Sequence, residues 1–121
     1  MTSLIALIDD DASFRMALFE SLSSLGYEVR DFASAEEFVA QPDDASSYDC
    51  VITDIHMPGM SGIALQKMLE RRGSRVPVIM VTGRGEPGLE AIAASSGAIC
   101  VLRKPFATNM LIESIQRAIK S

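Results

Sequence analysis

Five short apolar segments, residues 4–8, 27–32, 50–53, 76–82 and 99–102, recur along the chain, and a stretch with helical patterning follows each. This alternation restricts the fold more than any other feature. A strand that returns through a helix to a parallel strand must cross over right-handedly and pack that helix on the sheet. Four of the runs are nearly continuous hydrophobic stretches, as strands covered on both faces require, whereas Tyr27-Glu-Val-Arg-Asp-Phe32 alternates and suits a sheet edge. The rhythm predicts an α/β, doubly wound parallel sheet whose ligand site lies beyond the carboxyl ends of the strands, where the strand order reverses.

The helical stretches carry their own start and stop signals. Phe14, Leu18, Leu22 and Leu25 share one face of a first helix, with Gly26 as a left-handed stop. Ser34-Ala-Glu-Glu37 is a capping-box sequence that starts a short helix over 34–41, with Pro42 closing it. Further helices are expected over 62–72, 87–96 and 108–120, the last with Leu111, Ile115, Ala118 and Ile119 along one stripe. A length of 121 residues suits one domain, residues 1–121, and leaves no room for a second core.

Composition narrows the function. A net charge of −5 disfavours attraction to nucleic-acid phosphates or anionic lipid, so no direct nucleic-acid binding by this domain and no membrane contact are expected. The apolar runs are far shorter than a bilayer span and no signal-peptide pattern opens the chain, which makes a cytoplasmic address the expectation. Cys50 and Cys100 sit at the edges of apolar runs and read as reduced, buried thiols. Met57, Met60, Met68 and Met80 read as packing residues.

The chemistry lies at the strand ends. Asp9, Asp10 and Asp11 follow the first strand, Asp54 the third, Thr82 the fourth and Lys104 the fifth, and the doubly wound topology brings all of these to one crevice. Taken alone, an acidic triplet is more often a capping turn than a metal site, Thr82 is an ordinary hydroxyl and Lys104 a solvated charge. Together they differ: gathered carboxylates repel one another, and a hard divalent cation such as magnesium relieves the repulsion. An aspartate beside such a cation is a nucleophile toward phosphorus, with the ammonium and the hydroxyl as partners for phosphate oxygens.

Leu7-Ile-Asp-Asp10, Thr53-Asp-Ile-His-Met-Pro-Gly-Met-Ser-Gly62, Val81-Thr-Gly83 and Lys104-Pro-Phe106 resemble, in order and spacing, the motifs of response-regulator receiver domains of two-component signalling, most like the FixJ-type subset. The resemblance implies a flavodoxin-like (βα)5 sandwich with strand order 2-1-3-4-5. It also implies Asp54 as phosphoacceptor, Asp10 as a direct Mg2+ ligand, Asp9 as a metal-site carboxylate acting through water, and the His56 backbone carbonyl as a further ligand. Thr82 and Lys104 take the phosphate-binding and switching roles.

A sensor histidine kinase is the implied phosphodonor, with Phe14 and Arg15 on the first helix as the expected specificity region. The fourth helix, fifth strand and fifth helix form the implied output surface, with homodimerisation through the fourth and fifth helices and a DNA-binding output domain if the chain is an excised fragment. The resemblance points to a signalling domain and not an enzyme, with slow autodephosphorylation as its only turnover.

One position departs from the family pattern: Val101 stands where members carry Tyr or Phe, so the aromatic half of the switch is missing. A degenerate receiver acting as a phosphate-independent interaction module is therefore the alternative reading. His56 and Arg84, two residues past Asp54 and Thr82, line the rim in this resemblance, and the His56 side chain is expected to be exposed. A haloacid-dehalogenase-like phosphatase would leave Asp54-Ile-His-Met-Pro unexplained, and a flavodoxin-like cofactor binder would need a phosphate loop that is not acidic.

Overall fold

The computed structural model describes residues 3–41, 47–83 and 88–120. Its elements run β1 (Leu4–Ile8), α1 (Ala12–Ser24), β2 (Glu28–Phe32), α2 (Ala35–Ala40), β3 (Cys50–Asp54), α3 (Gly62–Arg71), β4 (Val78–Thr82), α4 (Leu89–Ser95), β5 (Cys100–Arg103) and α5 (Thr108–Lys120). All strand pairs are parallel in the order β2-β1-β3-β4-β5, the flavodoxin-like arrangement expected from the sequence. β1 is followed by a step to one side of the sheet and β2 by a step back across it, which opens a crevice between the carboxyl ends of β1 and β3.

Two cores flank the sheet. On one face Ile5, Leu7 and Ile52 meet Leu18 and Leu22 of α1 and Leu111 and Ile115 of α5. On the other, Ile8, Val51 and Met80 meet Phe38 of α2, Leu65 and Leu69 of α3 and Ala93 of α4. β3 and β4 are buried at every position, as their unbroken apolar runs require, and β2 shows the exposed, alternating pattern of an edge.

Half of the capping box at α2 forms as written, Ser34 Oγ accepting from the Glu37 N–H at 3.1 Å, while Glu37 Oε2 reaches one residue past the cap and accepts from the Ala33 N–H at 2.6 Å. Ser34 and Gln41 are the caps of that helix and lie outside it.

Several expected boundaries and stripes shift. β4 begins at Val78, two residues later than expected; Pro77 has no N–H to give a ladder, and its carbonyl accepts from the Val51 N–H at 2.9 Å. β5 begins one residue late and is the second edge, so residues 99–102 are not a strand covered on both faces. β2 begins at Glu28, α3 ends at Arg71 with Arg72 as its cap, and Asp54 and Thr82 are the last residues of β3 and β4. Leu25 caps α1 and is 54% exposed, and Ile119 is 36% exposed, so neither belongs to its helix's buried stripe; the α5 stripe includes Ser114 instead. Both cysteines are free, Cys50 buried and Cys100 only partly. Burial pushes the Cys50 thiol up to about 12. Pro42, Arg84 and Pro87 lie outside the described residues.

Candidate functional site: an acidic crevice at the strand ends

The three consecutive aspartates divide their work because the chain turns from strand to helix beneath them. Asp9 continues β1 inward and is 1% exposed; its N–H donates to the Phe32 carbonyl at 3.1 Å, at the end of β2. Asp10 is exposed to the crevice. Asp11 turns back as the N-cap of α1, its carboxylate accepting from the Phe14 N–H at 3.1 Å while its own N–H donates to Asp9 Oδ1 at 2.9 Å.

Asp54 reaches the same place from the end of β3. It is 7% exposed, and its Oδ1 accepts from the His56 N–H at 3.2 Å. The loop that follows folds tightly over it. A Cβ on Gly62 would stand 2.5 Å from the Asp54 carbonyl oxygen, so only glycine lets α3 begin this close. Ser61 caps that helix through the Ala64 N–H.

Lys104 closes the group from the loop after β5. Its Nζ donates to Asp9 Oδ2 at 3.0 Å and to Asp54 Oδ2 at 3.3 Å. The lysine backbone is fixed as well, its N–H donating to the carbonyl of fully buried Thr82 at 2.8 Å. Carboxylate oxygens of Asp9, Asp10 and Asp54 all lie within 4.8 Å of one another. Three carboxylates against the one positive charge of Lys104 leave two negative charges unbalanced, a hard oxygen site suited to a divalent cation. An open cleft of about 290 Å³ lined by Asp10, His56, Met57 and Pro58 leads to it.

Electrostatics at the site follow from burial against pairing. Burial raises the Asp54 carboxyl above the usual range, the Lys104 charge lowers it and the Asp9 charge raises it again, for a net upward shift. For Lys104, burial works to lower the ammonium, but its hydrogen bond to Asp9 and the charges of Asp54 and Asp9 outweigh that effect and raise it.

Asp9, Asp10, Asp54 and Lys104 meet through their side chains, and Thr82 joins Lys104 through its backbone carbonyl. The His56 side chain is half-buried, not exposed. Val101 is half-buried against the core on the α2–α4 face.

Three residues of the site were not singled out for what they do here. The Arg15 guanidinium turns inward, NH1 donating to the Asp9 carbonyl at 2.6 Å and Nε to Asp31 Oδ2 at 3.0 Å, so this side chain braces the loop that carries Asp9. Phe14 lies under the Lys104 ammonium, 3.9 Å from Nζ to the ring centroid. Glu36, in the first turn of α2, accepts from the Met60 N–H at 3.0 Å and ties down the loop after Asp54. No local pattern marks Arg15, whose partners Asp9 and Asp31 lie 6 and 16 residues away, or Glu36, whose partner lies 24 away.

A family model for the response regulator receiver domain matches residues 5–116. The chain belongs to this family. Among curated relatives, the receiver is 38% identical over 117 residues to the transcriptional regulatory protein FixJ of Bradyrhizobium diazoefficiens, covering 96% of this chain and 56% of that one. It is 40% identical over 114 residues to the C4-dicarboxylate transport transcriptional regulatory protein DctD of Rhizobium meliloti, covering 94% and 25% respectively. It is also 33% identical over 117 residues to TdiR of Thauera aromatica, covering 97% and 51%. The chain therefore spans between a quarter and just over half of the length of these relatives.

In three dimensions it matches the crystal structure of FixJ-N with a TM-score of 0.90 at 32% identity, covering 99% of this chain and 95% of that one. A receiver domain protein from Clostridium thermocellum matches with a TM-score of 0.90 at 30% identity, covering 98% and 94%. The receiver is thus a signalling domain of the two-component class, FixJ-like in sequence and fold. Among the described residues no helix is long and apolar enough to cross a membrane.

Proposed function

We propose that this receiver, taken as the single domain 1–121, is a phosphorylation-driven switch in which Asp54 accepts a phosphoryl group from the phosphohistidine of a sensor histidine kinase. One juxtaposition supports this reading above all: the Asp54 carboxylate lies at a strand end with the Lys104 ammonium 3.3 Å away and the carboxylates of Asp9 and Asp10 alongside. An Asp54 oxygen forms the new bond to phosphorus while the donor's phosphorus–nitrogen bond breaks, and the imidazole nitrogen leaves with the bonding pair.

Lys104 pairs with one phosphoryl oxygen and the Thr82 hydroxyl donates to another. Asp9, Asp10 and Asp54, with the His56 carbonyl, would hold magnesium, which when bound supplies positive charge beside the transferring group. The buried carboxylates and the two unbalanced charges suit that ion.

Output goes through the surface of α4, β5 and α5, where Ile92 is 56% and Met110 50% exposed. Contact with a DNA-binding output domain is the readout that the relatives' names as transcriptional regulators support, and homodimerisation through α4 and α5 is a second route for it. Without an aromatic at Val101 the signal travels through backbone and helix shifts around Thr82 and α4. The setting is cytoplasmic, and the only turnover is slow hydrolysis of the acyl phosphate.

The test is the intact mass of the protein after incubation with acetyl phosphate, with and without magnesium, beside Asp54→Asn. A magnesium-dependent gain of one phosphoryl group that Asp54→Asn abolishes is expected. No gain under any condition overturns the reading in favour of a phosphate-independent interaction module.

A further inference from the structure

Lys104 has a third contact that the phosphoryl chemistry does not explain. Besides Asp9 and Asp54, its ammonium faces the ring of Phe14, with Nζ 3.9 Å from the centroid. The ring is itself held: Phe14 meets Phe106 edge to face at 6.0 Å between centroids and packs against the α1–α5 core. Its backbone N–H is the donor that Asp11 caps. Phe14 thus stands on the first turn of α1 while touching the loop that carries Lys104, across 90 residues of sequence. We propose that Phe14 is a positioning residue for Lys104, its ring face stationing the ammonium over the phosphoacceptor; the proposal rests on the reading of Asp54 given above.

A carboxylate and an aromatic face restrain an ammonium differently. The hydrogen bonds to Asp9 and Asp54 are directional, and at least the one to Asp54 must be exchanged when a phosphoryl oxygen takes its place. A ring face attracts the cation over a broad area and asks for no particular proton direction. It therefore keeps hold of Nζ while the hydrogen-bond partners change. It also covers one side of the ammonium that water would otherwise solvate, and the side chain is only 19% exposed. An aliphatic side chain of similar size fills the same space but lacks the negative ring face.

The experiment compares the parent receiver with Phe14→Leu and Phe14→Tyr, after thermal melts show that each is folded. The first readout is the proton resonance of the Lys104 side-chain methylene next to Nζ, assigned by NMR. It is shifted upfield by the ring in the parent and in Phe14→Tyr, and moves to the ordinary lysine position in Phe14→Leu. The second is the rate of phosphoryl gain from acetyl phosphate at saturating magnesium, expected to fall about three- to tenfold in Phe14→Leu and to be restored in Phe14→Tyr.

An upfield shift that persists in Phe14→Leu, or a parent-like rate in that variant, overturns the proposal. If the parent itself gains no phosphoryl group, the reading of Asp54 fails and the methylene shift alone decides whether Phe14 stations Lys104.

Discussion

The first and fourth helices pack on opposite faces of the sheet and are held very differently. α1 has 13 residues, a side-chain cap from Asp11, and Leu18 and Leu22 sunk into the core. It sends Arg15 to the Asp9 carbonyl and Phe14 to the Lys104 ammonium. α4 has seven residues and is preceded by Gly88 as its N-cap, at φ +84° with no side-chain cap. Of its described side chains only Ala93 is buried, and Ile92 is more than half exposed. Placing charges to within a fraction of an ångström calls for an element that opens rarely, whereas relaying a signal calls for one that shifts at low cost. In the switch proposed above, the two demands fall on different helices on opposite faces of the sheet.

Hydrogen exchange gives this comparison its widest range. Amides in the middle of α1 are expected to exchange on the order of a hundredfold or more slowly than those of α4, because the first open only with the core and the second open locally. Equal protection in the two helices would break the contrast. Chemical denaturation gives a narrower measure: Leu22→Ala should cost about 2–5 kcal/mol and Ile92→Ala about 0.5 kcal/mol or less. Comparable losses would mean that α4 is packed as firmly as α1.

The bracket made by α1 can be tested at the ion. Arg15→Ala removes both the donor to the Asp9 carbonyl and the pairing with Asp31, and should weaken magnesium binding by about 10- to 100-fold in a calorimetric titration. Unchanged affinity would show that the loop holds its shape without the guanidinium.

The smallest effect concerns charge at Asp54 in the presence of a chelator. Burial, opposed by Lys104 and reinforced by Asp9, gives this carboxyl a higher pKa in the folded protein than in the unfolded chain. Its contribution to stability is therefore complete at pH below the unfolded value and is lost as pH rises through the folded one. Asp54→Asn should then melt at a higher temperature than the parent at pH 7, with the gap closing as pH falls to about 4. A gap that widens on acidification would reverse the sign.

Most of the fold was legible because its signals are local. The apolar runs gave five strands in the right places, Ser34 and Glu37 gave the start of α2, and Gly26 the stop after α1. Where the reading slipped, a neighbour in space decided. Pro77 delayed β4, and the end of the sheet left β5 half covered. Leu25 and Ile119 kept the helical spacing but fell beyond the reach of the core. Within the site, Asp9, Asp10, Asp54 and Lys104, which the fold brings together, were legible because each stands at the end of a strand.

What the sequence determined by itself was the set of chemical groups and their order along the chain, because strand periodicity and the alternation with helices predict a doubly wound parallel sheet whose strand carboxyl ends share one edge. The tertiary structure decided how each group is held: Asp9 buried and Asp10 exposed although they are neighbours, Arg15 turned inward, and Phe14 under Lys104. The contact of Phe14 with Lys104 joins residues far apart in sequence, and the geometry of all three depends on the packing of whole helices on the sheet, which no local spacing encodes.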